Sequence, residues 1–207
     1  MSKPKIVTLD IDGCLADFTS AYAAALIAED GDRLPEGWQD SPDWPGVWYW
    51  EREAGYGKDV EKRVWDEYIL KEDSAFWENL EPMHGAREVL MELNGLVKAG
   101  KAETYFVTHR MGDRAKLQTE KWLYNHGCDY PTVFMAGDKI PVLRFLKPDF
   151  FIDDKPETVS AVADSDSVMR DGLFLKMAPY NKDLWSDPRF QKAASVKDAL
   201  ITAGVIG

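Results

Sequence analysis

Two carboxylates separated by one residue, Asp10 and Asp12, directly follow a short aliphatic segment that begins at Ile6. A segment of this kind is typical of a buried strand, and open α/β sheets bind their ligands where such strands end. Because two buried like charges repel each other, the pair predicts a divalent cation that offsets the repulsion. The alternative is an Asp-Gly turn after an edge strand, which Asp12 and Gly13 also fit.

Polar side chains also follow two later apolar segments. Thr108, His109 and Arg110 come at the end of one, and Asp153 and Asp154 come at the end of another. The carboxyl ends of parallel strands lie at one edge of a sheet, so we expect four carboxylates and a hydroxyl to converge there. Four carboxylates without a cation would be very unfavourable. Their oxygen ligands suit Mg²⁺, which also leaves room for a phosphate.

A lysine is expected to complete this set. Lys139 lies in the chain between the second and the last of these strand ends, and it is predicted to bind phosphate as a point charge. Lys147 competes for the same role. Because Lys147 precedes Pro148, we interpret it as a surface residue and prefer Lys139.

The elements that must position these residues alternate regularly after residue 83. A first strand is predicted in the apolar run that leads from Lys5 to Asp10, and later strands are predicted at residues 104–108, 132–135, 149–152 and 172–175. Helices are predicted at residues 86–97, 113–125, 139–145, 156–163 and 196–203. Alternation of this kind predicts an α/β fold with a doubly wound parallel sheet.

Residues 19–82 differ from the rest of the chain. They hold six of the eight tryptophans and carry a formal charge of −10, against −1 for all other residues together. Helical patterns at residues 18–28 and 60–70 flank a turn-rich middle, which predicts a small helical insertion after the first strand. A segment this acidic would repel a long polyanion. We therefore expect a small phosphate substrate rather than long nucleic acid.

Composition excludes several other classes. The chain has 207 residues, of which 45% are hydrophobic and 29% charged, as in ordinary globular proteins. Its apolar runs are too short to span a bilayer, and no signal-peptide pattern precedes the first strand, so we expect no membrane partner and a cytoplasmic location. Two cysteines are too few for a disulfide framework or a thiolate zinc site.

The motifs together resemble the haloacid dehalogenase superfamily of phosphohydrolases. Asp10-Ile-Asp12-Gly13 is similar to the first signature of that family, Thr108 to the second, Lys139 to the third and Asp153-Asp154 to the fourth. The resemblance implies a Rossmann-like core formed by residues 1–18 and 83–207. It also implies that residues 19–82 form the helical cap of such enzymes.

A narrower resemblance points to the 5′(3′)-deoxyribonucleotidases. It is carried by four segments, namely 9–18 (LDIDGCLADF), 76–86 (FWENLEPMHGA), 151–156 (FIDDKP) and 178–181 (APYN) followed by Trp185. Members of that family have a small or polar pair after the second-signature threonine, where this chain has His109 and Arg110. The difference concerns the choice of substrate more than the chemistry.

The resemblance implies a role for each candidate catalytic residue. Asp10 would be the nucleophile that forms an aspartyl-phosphate, and Asp12 the general acid and base. Thr108 would donate to phosphoryl oxygens, although alone it also fits a strand-end turn, and Lys139 would neutralise phosphate charge. The implied Mg²⁺ ligands are Asp10, Asp12 through its backbone carbonyl, Asp153 and Asp154. The sequence does not show which of Asp153 and Asp154 contacts the ion directly and which contacts it through water.

Candidate substrate-binding residues come from two regions. His109 and Arg110 follow the second signature; His109 alternatively has a structural role, and Arg110 alternatively pairs with the acidic insertion. Trp44, Trp48 and Trp50 lie in the turn-rich part of the insertion, where one or two rings would stack on a nucleobase. The alternative is that these rings form the core of the insertion.

The predicted function is therefore Mg²⁺-dependent hydrolysis of small phosphate monoesters, with a nucleoside monophosphate as the preferred partner and substrate. Alternatives are another small phosphate such as a sugar phosphate, 3′-phosphate ends of nucleic acid, and a catalytically silent binding protein. The carboxylate set argues against the last alternative, because an unused cluster of like charges costs stability. The sequence leaves a homodimer open.

Overall fold

The computed structural model describes residues 3–165, 169 and 171–207. These described residues form six strands, namely β1 Lys5–Leu9, β2 Ala102–Thr108, β3 Val133–Met135, β4 Phe150–Asp153, β5 Leu173–Lys176 and β6 Gln191–Ala193. The same part of the chain forms eight α-helices, namely α1 Phe18–Asp30, α2 Trp50–Glu53, α3 Lys58–Val64, α4 Ala86–Lys98, α5 Ala115–Asn125, α6 Ile140–Leu146, α7 Pro156–Ala163 and α8 Val196–Thr202.

The six strands form one parallel sheet in the order β3-β2-β1-β4-β5-β6. The central strands are almost wholly apolar because helices cover both faces of a doubly wound sheet; Val7, Leu9 and Phe150 are completely buried. Strands β2 and β3 are added on one side of β1 within the sheet, and β4, β5 and β6 are then added on the opposite side of β1. The predicted doubly wound parallel fold is therefore confirmed, and β1 lies at the point where the strand order reverses.

The helices begin and end where the sequence provides stabilising groups. Asp17 accepts a hydrogen bond from the backbone N–H of Ser20 at 3.0 Å and so caps α1. Helix α4 presents Val89, Leu90 and Leu93 to the core at helical spacing. None of the helices that the structure describes is long and apolar enough to cross a membrane.

Residues between β1 and α4 form a helical, aromatic layer. Helix α3 continues into a π-helical turn at Trp65–Ile69, and α1 packs against α3. The rings of Phe18 and Tyr22 stack with centroids 5.4 Å apart, and Tyr22 meets Trp50 edge-on at 6.0 Å. Helices α1 and α3 lie in the chain on either side of a turn-rich stretch that includes the short helix α2.

Strand β6 and a 3-10 segment near the end of the chain are among the elements that the sequence did not predict. Strand β6 has only three residues, and its sequence Gln-Lys-Ala lacks the apolar run of the other strands. The 3-10 segment Pro179–Leu184 is stabilised by a side chain, because Asn181 accepts a hydrogen bond from the backbone N–H of Ala178 at 3.0 Å. The prediction depended on hydrophobic periodicity, which shows neither a short polar strand nor a hydrogen bond from a side chain to the backbone.

Candidate active site

The predicted strand ends meet at one edge of the sheet. Leu9, the last residue of β1, pairs with Phe106 of β2 and with Ile152 of β4. The backbone N–H of Asp10 continues this ladder and donates to the carbonyl of Ile152 at 3.0 Å. Asp10 therefore lies between the ends of β2 and β4, at the reversal point where this fold class binds ligands.

Three carboxylates and one ammonium form the centre of the site. Oxygen atoms of Asp10, Asp153 and Asp154 lie within 4.8 Å of one another. Nζ of Lys139 lies 2.8 Å from Oδ1 of Asp10 and 2.7 Å from Oδ2 of Asp153. All four residues are buried. The structure thus brings Lys139 to the carboxylates, whereas Lys147 is exposed just beyond the end of α6.

Burial controls the ionisation of this cluster. Removal from water raises the pKa of Asp10 well above its usual range, while Lys139 opposes this rise and Asp153 adds to it. Burial alone would lower the pKa of Lys139, but the charges of Asp10 and Asp153 outweigh burial and raise it. Lys139 is therefore a permanent cation, and without a further cation the cluster relieves its remaining negative charge by binding protons.

The donor set fits a divalent cation. Three ionised carboxylates and one ammonium leave two negative charges uncompensated, which a divalent ion balances. Among the described residues, no donor makes a well-directed hydrogen bond to the buried Oδ1 of Asp10, despite the nearby Lys139 ammonium. Gly13 has a φ of 74°, and a Cβ there would meet Oδ2 of Asp154 at 2.1 Å, so only glycine fits beside this carboxylate.

The Pro-Tyr-Asn segment holds Asp154 in place. The hydroxyl of Tyr180 donates a hydrogen bond to Oδ2 of Asp154, and Nδ2 of Asn181 donates to its backbone carbonyl at 2.8 Å. Asn181 is buried, and its own Oδ1 accepts from Nε1 of Trp185 at 2.8 Å. These contacts orient the carboxylate that lines the cluster, and they give the 178–185 motif a physical explanation.

Arg110 is directed at Asp12. Its Nη2 lies 2.7 Å from Oδ1 of Asp12, and its Nε lies 3.0 Å from Oδ2, which makes the contact bidentate. The guanidinium has no exposed surface; it donates to Oγ1 of Thr119 at 3.1 Å and lies over the ring of Trp77. From the sequence, Arg110 was expected to contact either the substrate or an acidic residue of the insertion. In the structure its ion-pair partner is Asp12, which follows β1.

The remaining candidates take different positions around a cavity of about 420 Å³ above the cluster. Asp10, Asp12, Thr108, His109, Trp48 and Trp50 line it. Thr108 is fully buried, with Oγ1 3.5 Å from Oδ2 of Asp12. Trp44 instead packs between Trp38 and Trp50, with centroids 4.5 and 4.9 Å away, and does not line the cavity.

The cluster predicts an unusual pH dependence of stability in the metal-free protein. Burial, with the charge of Asp153, raises the pKa of Asp154 to about 7. The folded state therefore binds more protons than the unfolded state between the ordinary carboxyl range and neutral pH, so stability falls as pH rises. With a chelator present, the urea midpoint is expected to be higher at about pH 6 than at about pH 8. Saturating Mg²⁺ should remove this difference, and equal midpoints in chelator would contradict the account.

Known structures support the fold. A β-phosphoglucomutase-type protein from Thermotoga maritima has a TM-score of 0.53 at 17% identity, covering 98% of this chain and 100% of its own. A dehalogenase with an intermediate complex has a TM-score of 0.52 at 12% identity, covering 98% of both chains. A haloacid dehalogenase-like hydrolase from Burkholderia xenovorans LB400 has a TM-score of 0.50 at 15% identity, covering 97% and 96%. At these identities the similarity shows the fold alone.

The comparison with curated proteins finds no match. The comparison with protein families matches residues 4–204 to the family described as 5′ nucleotidase, deoxy (pyrimidine), cytosolic type C protein. That match covers nearly the whole chain, including every residue of the carboxylate cluster. The chain therefore belongs to this deoxynucleotidase family, and it is a phosphatase with the haloacid dehalogenase-like fold.

Proposed function

We propose that this protein is a Mg²⁺-dependent phosphomonoesterase that hydrolyses nucleoside monophosphates as a 5′(3′)-deoxyribonucleotidase. One observation carries the proposal. Asp10 and Lys139 lie 2.8 Å apart at the floor of an aromatic cavity, so a carboxylate nucleophile and a cation for phosphate occupy the same point. The family match supports a phosphate ester of nucleotide type as the occupant of that cavity.

In the first step, a carboxylate oxygen of Asp10 attacks phosphorus and forms a new P–O bond. The bond between phosphorus and the sugar oxygen breaks, and the leaving oxygen takes a proton from the carboxylic acid form of Asp12. Lys139 neutralises charge on the phosphoryl group, and Thr108 donates a hydrogen bond to it. The products are the nucleoside and an aspartyl-phosphate on Asp10.

In the second step, water attacks the phosphorus of the aspartyl-phosphate. Asp12, now a carboxylate, accepts a proton from that water, and the bond between phosphorus and the Asp10 oxygen breaks. Inorganic phosphate leaves, and both aspartates return to their starting forms. The bidentate contact with Arg110 holds the carboxyl group of Asp12 in one orientation.

Asp10, Asp153 and Asp154 would hold the Mg²⁺ ion, together with the backbone carbonyl of Asp12 that the family resemblance implies. When bound, the ion supplies positive charge that lets one anion approach another. Tyr180 and Asn181 orient Asp154 for this purpose, as their hydrogen bonds indicate.

We also propose that the chain consists of a catalytic core and a cap. Residues 1–18 and 83–207 form the catalytic core, and residues 19–82 form a cap that covers the cavity with Trp48 and Trp50. A contact of the insertion with the core supports this assignment, because Trp48 meets the ring of Tyr180 edge-on at 5.1 Å. A cap in this position would exclude bulk water from the phosphoryl group during the first step.

The proposed function is tested by a phosphate-release screen with and without Mg²⁺. Deoxynucleoside 5′- and 3′-monophosphates are compared with sugar phosphates at equal concentration. We expect kcat/KM to be higher for the nucleotides, because only they fill the aromatic part of the cavity. Faster turnover of sugar phosphates than of every nucleotide would contradict the nucleotidase assignment while leaving the chemistry intact.

Replacing Arg110 is expected to impair Asp12 specifically. In Arg110→Met the carboxyl group of Asp12 loses the bidentate contact that orients it toward the leaving oxygen, so kcat for a nucleotide should fall about 100-fold. The loss should be much smaller for p-nitrophenyl phosphate, whose leaving group needs no proton, provided that formation of the aspartyl-phosphate limits the rate. Arg110→Lys should recover part of the rate. Arg114→Met, which alters an exposed arginine, should leave kcat unchanged for both substrates.

An equal loss for both substrates in a folded Arg110→Met variant would contradict this role. It would show that Arg110 supports the site as a whole and does not act through protonation of the leaving group. Circular dichroism spectra and thermal unfolding of the variants establish that they are folded.

A further inference from the structure

A second cavity adjoins the active site across the turn that follows Asp12. Gly13 of this turn lines the active-site cavity, whereas Cys14 lines the second cavity, which has a volume of about 200 Å³. The two cavities share no lining residue among those that the structure describes. The second cavity is therefore a separate place for a ligand, with about half the volume of the first.

The polar side chains around the second cavity are basic or neutral. Lys176, Lys197 and His84 contribute to its lining, together with Ser195. None of the described residues that line it is an aspartate or a glutamate, although the chain has 36 acidic residues and 25 basic ones. The cavity thus concentrates positive charge in a protein whose net charge is −11, and a concave surface lined by one sign of charge attracts the opposite sign.

Lys176 lies between this cavity and the carboxylate cluster. It is the last residue of β5 and follows Leu175, which pairs with Asp153 of β4. In the described part of the chain, its ammonium has no ion-pair or hydrogen-bond partner. Burial raises the pKa of Asp154 and of Cys14, and the charge of Lys176 opposes both rises. The positive charge of Lys176 is therefore available to an anion in the cavity.

The acidic residues near the other two basic groups compensate them poorly. Nζ of Lys197 lies 3.5 Å from Oε1 of Glu92, but both side chains are more than 40% exposed, so water screens this pair. His84 is exposed, and within the described residues it has no hydrogen-bond or ion-pair partner. Asp198 already accepts a hydrogen bond from the hydroxyl of Ser195 at 2.7 Å. Positive charge at the cavity is thus left without a buried counter-ion.

The N-terminus of α4 borders the same cavity. Gly85 and Ala86 contribute to the lining, and Gly85 at the N-cap position has no side chain to cap the helix. A Cβ at Gly85 would meet nothing within 4 Å, so the space beside it is open. Backbone N–H groups and the positive end of a helix dipole add to the attraction for an anion, which the exposed Glu88 in the first turn offsets in part.

We propose that the second cavity binds a phosphate group, either as orthophosphate or as part of a small organic phosphate monoester. The two lysines supply two positive charges, which a phosphate dianion balances, and lysine binds phosphate as a point charge. The small volume favours such a ligand over a whole nucleotide. This inference goes beyond the proposed function, because none of these residues takes part in the phosphoryl-transfer steps.

The test measures binding of labelled orthophosphate by equilibrium dialysis in excess chelator, at constant ionic strength. Without Mg²⁺ the carboxylate cluster disfavours an anion in the active site, so the second cavity should account for saturable binding of a single phosphate per chain. Lys176→Met and Lys197→Met should each weaken this binding about tenfold. Lys101→Met, which changes an exposed lysine outside the cavity, should leave the dissociation constant unchanged.

Competition identifies the source of the phosphate group. Displacement of the label by glycerol 3-phosphate at a lower concentration than by unlabelled orthophosphate assigns the site to a small monoester, and the reverse order assigns it to orthophosphate. Thermal unfolding shows whether each variant is folded, and either lysine variant suffices to locate the site.

Two results would overturn the proposal. The first is a lack of saturable phosphate binding to the wild-type protein in chelator. The second is binding that a folded Lys176→Met or Lys197→Met variant retains at wild-type strength, which would place the anion elsewhere. Phosphate binding at this cavity in a protein that hydrolyses no nucleotide would refute only the proposed function, so the two failures are distinguishable.

Discussion

The Asp10→Asn variant is expected to release phosphate at least about 1000-fold more slowly than the wild-type protein at saturating Mg²⁺. Asn has no anionic oxygen with which to attack phosphorus, and the variant also loses one carboxylate of the cluster. The neighbouring Asp12 cannot replace it, because its carboxylate is directed at Arg110 and not at Lys139. The measurement is initial phosphate release from a nucleoside monophosphate under single-turnover conditions.

Two controls separate the loss of the nucleophile from a general effect of an Asp→Asn change or from unfolding. Asp113→Asn changes an exposed aspartate outside the cavity and should retain the wild-type rate. Thermal unfolding of Asp10→Asn should show a cooperative transition, because Lys139 keeps Asp153 as a partner at 2.7 Å. A folded Asp10→Asn protein with more than about one tenth of the wild-type rate would contradict the role of Asp10 as nucleophile.

Removal of divalent metal is expected to abolish turnover and to lower stability together. The cluster of Asp10, Asp153 and Asp154 carries more negative charge than Lys139 offsets, so a chelator exposes the full repulsion. Mg²⁺ at about 100 times its dissociation constant should stabilise the folded protein by about 2.7 kcal/mol. Thermal unfolding with increasing Mg²⁺ measures this gain, and phosphate release after addition of a chelator measures the loss of activity.

A matched pair of variants assigns the metal effect to the cluster. In Asp154→Asn the increase of the unfolding temperature with Mg²⁺ should be largely lost, whereas Asp183→Asn should respond as the wild type does. Asp183 is exposed and belongs to the same 3-10 segment as Tyr180, which contacts Asp154. Full activity in excess chelator, or an Mg²⁺ response that survives Asp154→Asn, would contradict metal binding at this cluster.

Hydrophobic periodicity was sufficient to predict the sheet and its long helices. Helix α7 was predicted with its observed bounds, and β1 lies in the apolar run before Asp10 where a strand was predicted. Parallel strands covered on both faces are encoded by local apolar runs, which a single sequence displays directly. Strand β6 was missed because its stability comes from pairing with β5, a contact distant from its own three residues.

The convergence of Asp10, Lys139, Asp153 and Asp154 was also predictable, because topology brings the carboxyl ends of parallel strands together. The direction of each side chain was not. The sequence could not show that Arg110 binds Asp12, since the two lie 98 positions apart in the chain and no periodic pattern relates them.

The most direct test of the account is to locate the phosphoryl group during turnover. A nucleoside monophosphate labelled in its phosphate is mixed with enzyme and Mg²⁺, the reaction is quenched in acid, and the labelled peptide is identified. The account predicts transient label on Asp10, more of it in Asp12→Asn, where attack by water lacks its base, and none after chelation. Phosphate release in the wild type without label on Asp10 at any time, or with label on another residue, would contradict it.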